Sequence, residues 1–198
     1  MKQINVGVIG TGWCGGIRAV ACAASPWVRE LHIAEINEPR LAEVAAATDP
    51  VTATTDYRRL LEDKGIDAVM ISTTPEPTHY VFAREAMLAG KHVFLEKPIA
   101  LELSEADELI AIARDRNLLF TIGYSQRFNP KFAYVKRTLI DGTIGEPVSA
   151  LVSRHITRNL GKKISGRVKL SPAAMESTHD IDFVLWCLAP RKPIRIYA

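Results

Sequence analysis

Ile4-Asn5-Val6-Gly7-Val8-Ile9-Gly10-Thr11-Gly12-Trp13-Cys14-Gly15-Gly16 is the stretch that decides the fold. Its apolar run, Val6 to Ile9, is β-branched and breaks into glycine, as a buried parallel strand does. Gly10, Gly12 and Gly15 then give the spacing G-x-G-x-x-G, and Ile17 to Ala24 reads as an alanine-rich helix. Each glycine has a mechanical task in such a turn. Gly10 permits the tight bend, Gly12 lets backbone approach a pyrophosphate, and Gly15 lets helix pack closely on strand. The phosphates would sit at the helix N-terminus, where unpaired N–H groups and the helix dipole favour negative charge. Thr11, Trp13 and Cys14 fill the turn and join its candidate contacts.

Outward from the turn, a second apolar run, Leu31 to Ala34, ends at Glu35, twenty residues past Gly15. An acid there is placed to hold the ribose hydroxyls of a dinucleotide. The plain alternative is a glycine-rich turn beside an ordinary surface glutamate. Strand, glycines, helix and acid in that order favour the dinucleotide. Glu35 would repel a 2′-phosphate, which favours NAD over NADP; Arg40 nearby keeps NADP as the lesser option. Asn37 completes this group of candidate cofactor contacts.

The 198 residues suit one domain plus part of another, with 47% hydrophobic and 24% charged residues. A net charge of +3, scattered along the chain, gives no argument for nucleic acid. No apolar run approaches bilayer length, and the Met1-Lys2-Gln3 start does not read as a signal peptide. Cys14, Cys22 and Cys187 have neither metal-site nor redox-pair spacing. The expectation is a cytoplasmic protein with reduced thiols.

Further helices are expected over Pro39 to Ala47, Tyr57 to Asp63 behind an Asp56 N-cap, and Thr78 to Ala89. A capping box at Ser104 and Asp107 would start another, running to about Asn117. Short strands are expected at Thr52 to Thr54, Ala68 to Ser72, His92 to Leu95 and Leu119 to Ile122. Strict alternation of strand and helix demands crossover connections, hence a doubly wound parallel sheet over 1–122. Ligands bind at the carboxyl ends of such strands. From 123 a linking helix, Pro130 to Ile140, leads to a partial second domain. It holds a longer strand, Val148 to Ile156, a helix from Pro172 to about Leu188, and a strand starting at Ile194 to Tyr197. The basic stretch Arg158 to Lys169 reads as a loop or, alternatively, a cationic substrate lip.

Two residues stand out for chemistry. Lys97, in Glu96-Lys97-Pro98, follows a buried strand on the cofactor side of the sheet. A lysine at a strand end is usually solvated. Here the proline fixes the turn behind it, and its ammonium could donate a proton to an oxygen whose carbon exchanges hydride. His179 lies on the second-domain helix with Glu176 at i−3 and Asp182 at i+3. Either carboxylate could fix the ring tautomer, as a proton shuttle requires; the alternative is a histidine that caps or packs a helix. His79 reads as a helix-terminal packing residue with a weaker ribose option, and His92 as structural. A zinc site lacks a third ligand.

The whole chain resembles the Gfo/Idh/MocA family of NAD(P)-dependent oxidoreductases. The matching pieces are the glycine turn, Thr74-Pro75 with His79, Ala89-Gly90-Lys91-His92-Val93-Phe94-Leu95-Glu96-Lys97-Pro98, Gly123-Tyr124 with Arg127-Phe128-Asn129-Pro130, Gly142 to Val148, and His179-Asp180-Ile181-Asp182. The resemblance implies a Rossmann domain followed by an open-faced α+β substrate domain. It implies oxidation or reduction of a hydroxyl or keto carbon on a sugar, cyclitol or related polyol. The family's Glu-Lys-Pro lysine maps to Lys97, and its acid/base histidine to His179. Thr73, Thr74, Pro75, Glu96 and Arg127 join the candidate cofactor contacts, and Tyr124, Glu176 and Asp182 the substrate contacts. Many members carry an aspartate four residues before the histidine, where this chain has Met175. Members also continue past this length, so the expectation is either a fragment of a longer protein or a segment that leans on its own first domain or on a homo-oligomeric partner through its sheet. A non-catalytic NAD-binding regulator on the same scaffold is the competing reading.

Overall fold

A computed structural model describes residues 2–155, 157–159 and 172–197, apart from the side chains of 172–175. The chain divides into two compact units, Met1–Gly123 and Tyr124–Ala198. In the first, β1 (Ile4–Ile9), β2 (Val28–Ala34), β3 (Thr52–Thr54), β4 (Ala68–Ile71), β5 (His92–Leu95) and β6 (Phe120–Ile122) form one sheet. The order is β3-β2-β1-β4-β5-β6, and every neighbouring pair is parallel. The crossovers carry α1 (Trp13–Ala23), α2 (Glu38–Thr48), α3 (Arg58–Glu62), α4 (Thr78–Leu88) and α5 (Leu103–Asp115). The winding direction reverses at β1, the switch point of the expected Rossmann fold.

Both faces of the sheet are covered, which is why its strands read as continuous apolar runs. Val6, Val8, Leu31 and Ile33 pack with Ala19 and Cys22 of α1 and Val44 of α2. Ile9, Val69, Ile71, Val93 and Leu95 pack on the other face with Leu60, Ala83, Met87 and Leu109 from α3, α4 and α5. Glycine and proline set the element ends. Asn37 caps α2 by accepting from Arg40 N at 2.9 Å, with Pro39 in the first turn. Gly90, at φ +81°, ends α4 in the left-handed region.

Several helix starts differ from the sequence reading: α2 begins one residue early, at Glu38, and α3 begins at Arg58 with Tyr57 as its N-cap, so Asp56 stands one residue before the cap and accepts from Arg58 N at 3.0 Å. α1 begins at Trp13, because Gly12 itself is the N-cap and the turn's last glycines already lie in the helix. α5 begins at Leu103 from an extended Glu102, which leaves Ser104 inside the first turn instead of capping it.

The second unit contains a 3₁₀ turn (Ser125–Phe128), α6 (Pro130–Ile140) and α7 (Pro172–Leu188). The strand expected over Val148 to Ile156 does not form. Residues 148–155 have no regular structure, Val148 and Leu151 are 97% and 98% exposed, and Ile156 lies outside the described residues. Ile194 to Tyr197 is likewise irregular and exposed. A strand needs a neighbour for its amides and carbonyls, and among the described residues of this unit there is none. Most of the basic stretch, residues 160–169, lies outside the described residues. Among the described residues no helix is long and apolar enough to cross a membrane.

Candidate active site

Parallel register builds the site's floor. Ile9 faces Ala34 and Ile71, Ile71 faces Leu95, and Leu95 faces Ile122. The next amide on each strand continues the ladder. Gly10 N donates to Ala34 O at 2.8 Å, Ser72 N to Ile9 O at 2.9 Å, Glu96 N to Ile71 O at 2.9 Å, and Gly123 N to Leu95 O at 2.8 Å. The glycine turn, Glu35, the Thr73–Pro75 loop and the Glu96–Pro98 turn therefore leave one carboxyl edge together.

The glycines of the first turn are required for different reasons. A Cβ on Gly15 would lie 1.8 Å from Gly10 O, so the helix approaches the strand through a bare backbone. Gly10 has φ +81°, and a Cβ there would meet Ser72 O at 2.9 Å. A Cβ on Gly12 would meet nothing within 4 Å: the turn opens outward there. α1 has no acidic residue in its first turn and no side-chain cap, so neither occupies its N-terminal amides. This cradle fits a dinucleotide's phosphates.

Glu35 is held beside that cradle. Its Oε2 accepts from Thr11 N at 2.7 Å and Thr11 Oγ1 at 3.3 Å, and its Oε1 accepts from Asn37 N at 3.0 Å. Arg40 lies over the turn, donating from Nε to Thr11 O at 2.7 Å and from Nη2 to Gly12 O at 3.3 Å, and pairing with Glu43 at 2.7 Å. Thr11 is buried, whereas Trp13 and Cys14 are exposed. Asn37 spends its side-chain oxygen on the α2 cap.

Lys97 sits in a turn held from both sides. Its backbone N donates to Glu96 Oε2 at 3.1 Å, and Glu96 Oε1 pairs with Arg18 of α1. Arg18 also donates to Ser72 Oγ at 3.3 Å and lies 4.8 Å from the centre of the Phe94 ring. Beyond the lysine, Pro98 O faces His79 Nδ1 at 2.7 Å. His79 Nε2 faces Thr73 O at 3.0 Å, and Thr73 Oγ1 shares a 2.7 Å hydrogen bond with Thr78 Oγ1. The Thr74–Pro75 and Lys97–Pro98 peptides are both cis. Arg18 is a site residue that sequence reasoning missed; mid-helix, it carries no motif. His92 Nδ1 accepts from Leu119 N at 3.0 Å, a structural use at the opposite end of β5.

In the second unit, the carboxylates expected to flank His179 face arginines. Asp182 accepts from Arg127 Nε at 2.9 Å and from Arg127 Nη2 at 2.5 Å, a bidentate pair. Glu176 lies 3.5 Å from Arg154, which also holds Asp180 through two 2.6 Å bonds. That bidentate grip lowers the pKa of Asp180 below the usual carboxylate range. Tyr124 presents its ring edge-on to His179, with centroids 6.2 Å apart. Burial, then the charge of Asp182, raises the Tyr124 phenol, so it stays a protonated donor at neutral pH. The Met175 side chain lies outside the described residues. Among the described residues no three His, Cys, Asp or Glu gather as a metal site.

Comparison with known proteins agrees with this architecture. The Gfo/Idh/MocA family model, an oxidoreductase family with an NAD-binding Rossmann fold, matches residues 4–124. Inositol 2-dehydrogenase 1 of Saccharopolyspora erythraea is 31% identical over 191 residues, covering 94% of this chain and 55% of that protein. Levoglucosan dehydrogenase of Pseudarthrobacter phenanthrenivorans is 34% identical over 158 residues, covering 75% and 40%. A scyllo-inositol dehydrogenase of Lactobacillus casei, solved with bound NAD(H) and scyllo-inositol, is 25% identical with a TM-score of 0.79. It is covered over 56% of its length by 94% of this chain. The chain thus spans about half the length of the relatives it matches. With the glycine turn, the parallel sheet and the family model in agreement over one unit, the chain belongs to the Gfo/Idh/MocA oxidoreductases, whose Rossmann fold binds NAD.

Proposed function

We propose that the protein is an NAD-dependent dehydrogenase acting on a CH–OH carbon of a cyclitol, sugar or related polyol. The observation that carries this reading is the shared carboxyl edge, where the open glycine turn of β1 and the doubly held Lys97 turn of β5 are two strands apart. In it, the backbone around Gly10, Gly12 and Gly15 receives the diphosphate, and Glu35 accepts from a ribose hydroxyl. Thr73, Thr74 and Pro75 line the nicotinamide side. NAD, when bound, supplies C4 of its nicotinamide ring as the hydride acceptor or donor. Lys97 Nζ hydrogen-bonds the reacting oxygen and moves its proton. His179 exchanges that proton with water, Tyr124, Glu176 and Asp182 orient the substrate, and Arg127 contacts the cofactor. Residues 123–198 begin a substrate domain that also mediates homo-oligomer contacts. Similarity to an inositol 2-dehydrogenase and a levoglucosan dehydrogenase supports the polyol or sugar as substrate. Glu35 favours NAD, and the odd number and spacing of the cysteines favour a cytoplasmic setting.

Lys97→Met in the natural gene product tests the chemistry. We expect kcat for an inositol panel to fall about 10²-fold or more while NADH affinity stays within about threefold. Unchanged turnover removes Lys97 from the mechanism. NADH binding by the wild type without turnover of any polyol favours the regulator reading instead.

A further inference from the structure

His79 lies in the first turn of α4, 2% exposed, with its ring between two loops of the sheet's carboxyl edge. Nδ1 faces Pro98 O at 2.7 Å, and Nε2 faces Thr73 O at 3.0 Å. A carbonyl oxygen only accepts, and a neutral imidazole donates from one nitrogen. A neutral ring therefore bonds one loop and packs against the other, whereas an imidazolium bonds both. The contact to the Pro98 carbonyl is the shorter of the two, and an Nδ1–H donor serves it in the neutral Nδ1 tautomer and in the imidazolium alike. Pro98 has no N–H, so its carbonyl is the hydrogen-bonding handle that the turn offers just past Lys97. The amide on the other side of the lysine is already tied through Glu96 to Arg18.

We propose that His79 is a positioning residue for Lys97: its Nδ1–H grips the Pro98 carbonyl and sets the direction in which the lysine leaves the sheet. The Nε2 side leans on the Thr73 loop, whose methyl borders the glycine turn closely enough that a Cβ on Gly10 would lie 2.8 Å from it. One buried ring thus spans the loops after β4 and β5, and the first of these touches the turn after β1. The inference rests on the proposed role of Lys97, and its test separates the two.

In the natural gene product, ¹⁵N NMR of the His79 ring should find a proton on Nδ1, with Nε2 bare or protonated; a bare Nδ1 overturns the inference. Two isosteres then divide the contacts. His79→Asn keeps a donor near the Nδ1 place, and His79→Gln keeps one at the Nε2 distance. We expect the Asn variant to hold kcat for inositol oxidation within about threefold and the Gln variant to lose about tenfold or more, with KM for NAD unchanged in both. Equal losses, or a larger loss in the Asn variant, overturn the inference. If the wild type turns over no polyol, the proposed function fails. The rate at which acetic anhydride acetylates Lys97, followed by mass spectrometry without cofactor, then decides the inference. It should match wild type in the Asn variant and differ in the Gln variant; one rate for all three proteins overturns the assignment. If neither variant folds, the wild-type tautomer decides alone.

Discussion

The two units obey the same chemistry with opposite results. In Met1–Gly123 every strand expected from the sequence forms, because each lies beside another and their apolar side chains close into two buried layers. In Tyr124–Ala198 the described elements are helical, while apolar stretches around Val148 to Val152 and Ile194 to Tyr197 stay exposed. A helix satisfies its amides internally, whereas a strand borrows its partners. α6 and α7 are joined through side chains of α6: Phe132 against Phe183 at 4.7 Å, and Lys136 Nζ donating to the Trp186 backbone O at 2.6 Å. Sequence periodicity describes what a segment is able to become; its neighbours decide whether it does.

The contrast breaks most sharply at Gly15. Gly15→Val would drive a side chain into Gly10 O, 1.8 Å from the first added carbon. We expect a loss of about 4 kcal/mol or more in urea denaturation, with NADH binding abolished. Survival of the fold would refute the close helix–strand approach. One substitution placed in both units sharpens the difference. Leu109→Ala, at a fully buried site, should cost about 3 kcal/mol, whereas Leu151→Ala, at a 98% exposed site, should change stability by about 0.5 kcal/mol at most. Comparable costs would mean that residues 148–155 are packed in solution. Within the second unit, Asp182→Asn removes the carboxylate that grips Arg127. The carboxylate side chain is 9% exposed and the arginine 43%, so water screens the loss to about 1–2 kcal/mol by the same measurement. No change would reduce the pair to a surface contact.

The smallest effect is a pH dependence confined to the first unit. Burial, reinforced by the hydrogen bond to Glu85 at 2.7 Å, pushes the Tyr57 phenol up to about 12. The folded state holds this proton more tightly than the unfolded chain. Its stabilising contribution is therefore complete below about pH 10 and lost as pH rises toward about 12. Tyr57→Phe should cost about 1 kcal/mol at pH 7, and the gap from wild type should narrow at pH 11. A gap independent of pH would show that the phenol does not titrate in the folded state as described.

Much of the first unit was legible because local signals agreed with tertiary ones. The run Val6 to Ile9, the glycine spacing and Glu35 each pointed to the same turn; in the second unit, α7 spans Pro172–Leu188, as its proline start predicts. What escaped reading depends on distance along the chain. Arg18 looks like any solvated helix arginine until the end of β5 brings Glu96 against it, 78 residues later. Helical spacing placed Asp182 beside His179, and no periodicity announces that Arg127, 55 residues earlier, takes the carboxylate. Ser104 with Asp107 has the letters of a capping box, yet Glu102 is already extended and starts the helix two positions sooner.

The sheet's outermost strands, β3 and β6, have three residues each. Margins so short give a stray peptide too few amides to grip, so the folded first unit resists lateral growth into aggregates without needing a bulge or a covering helix.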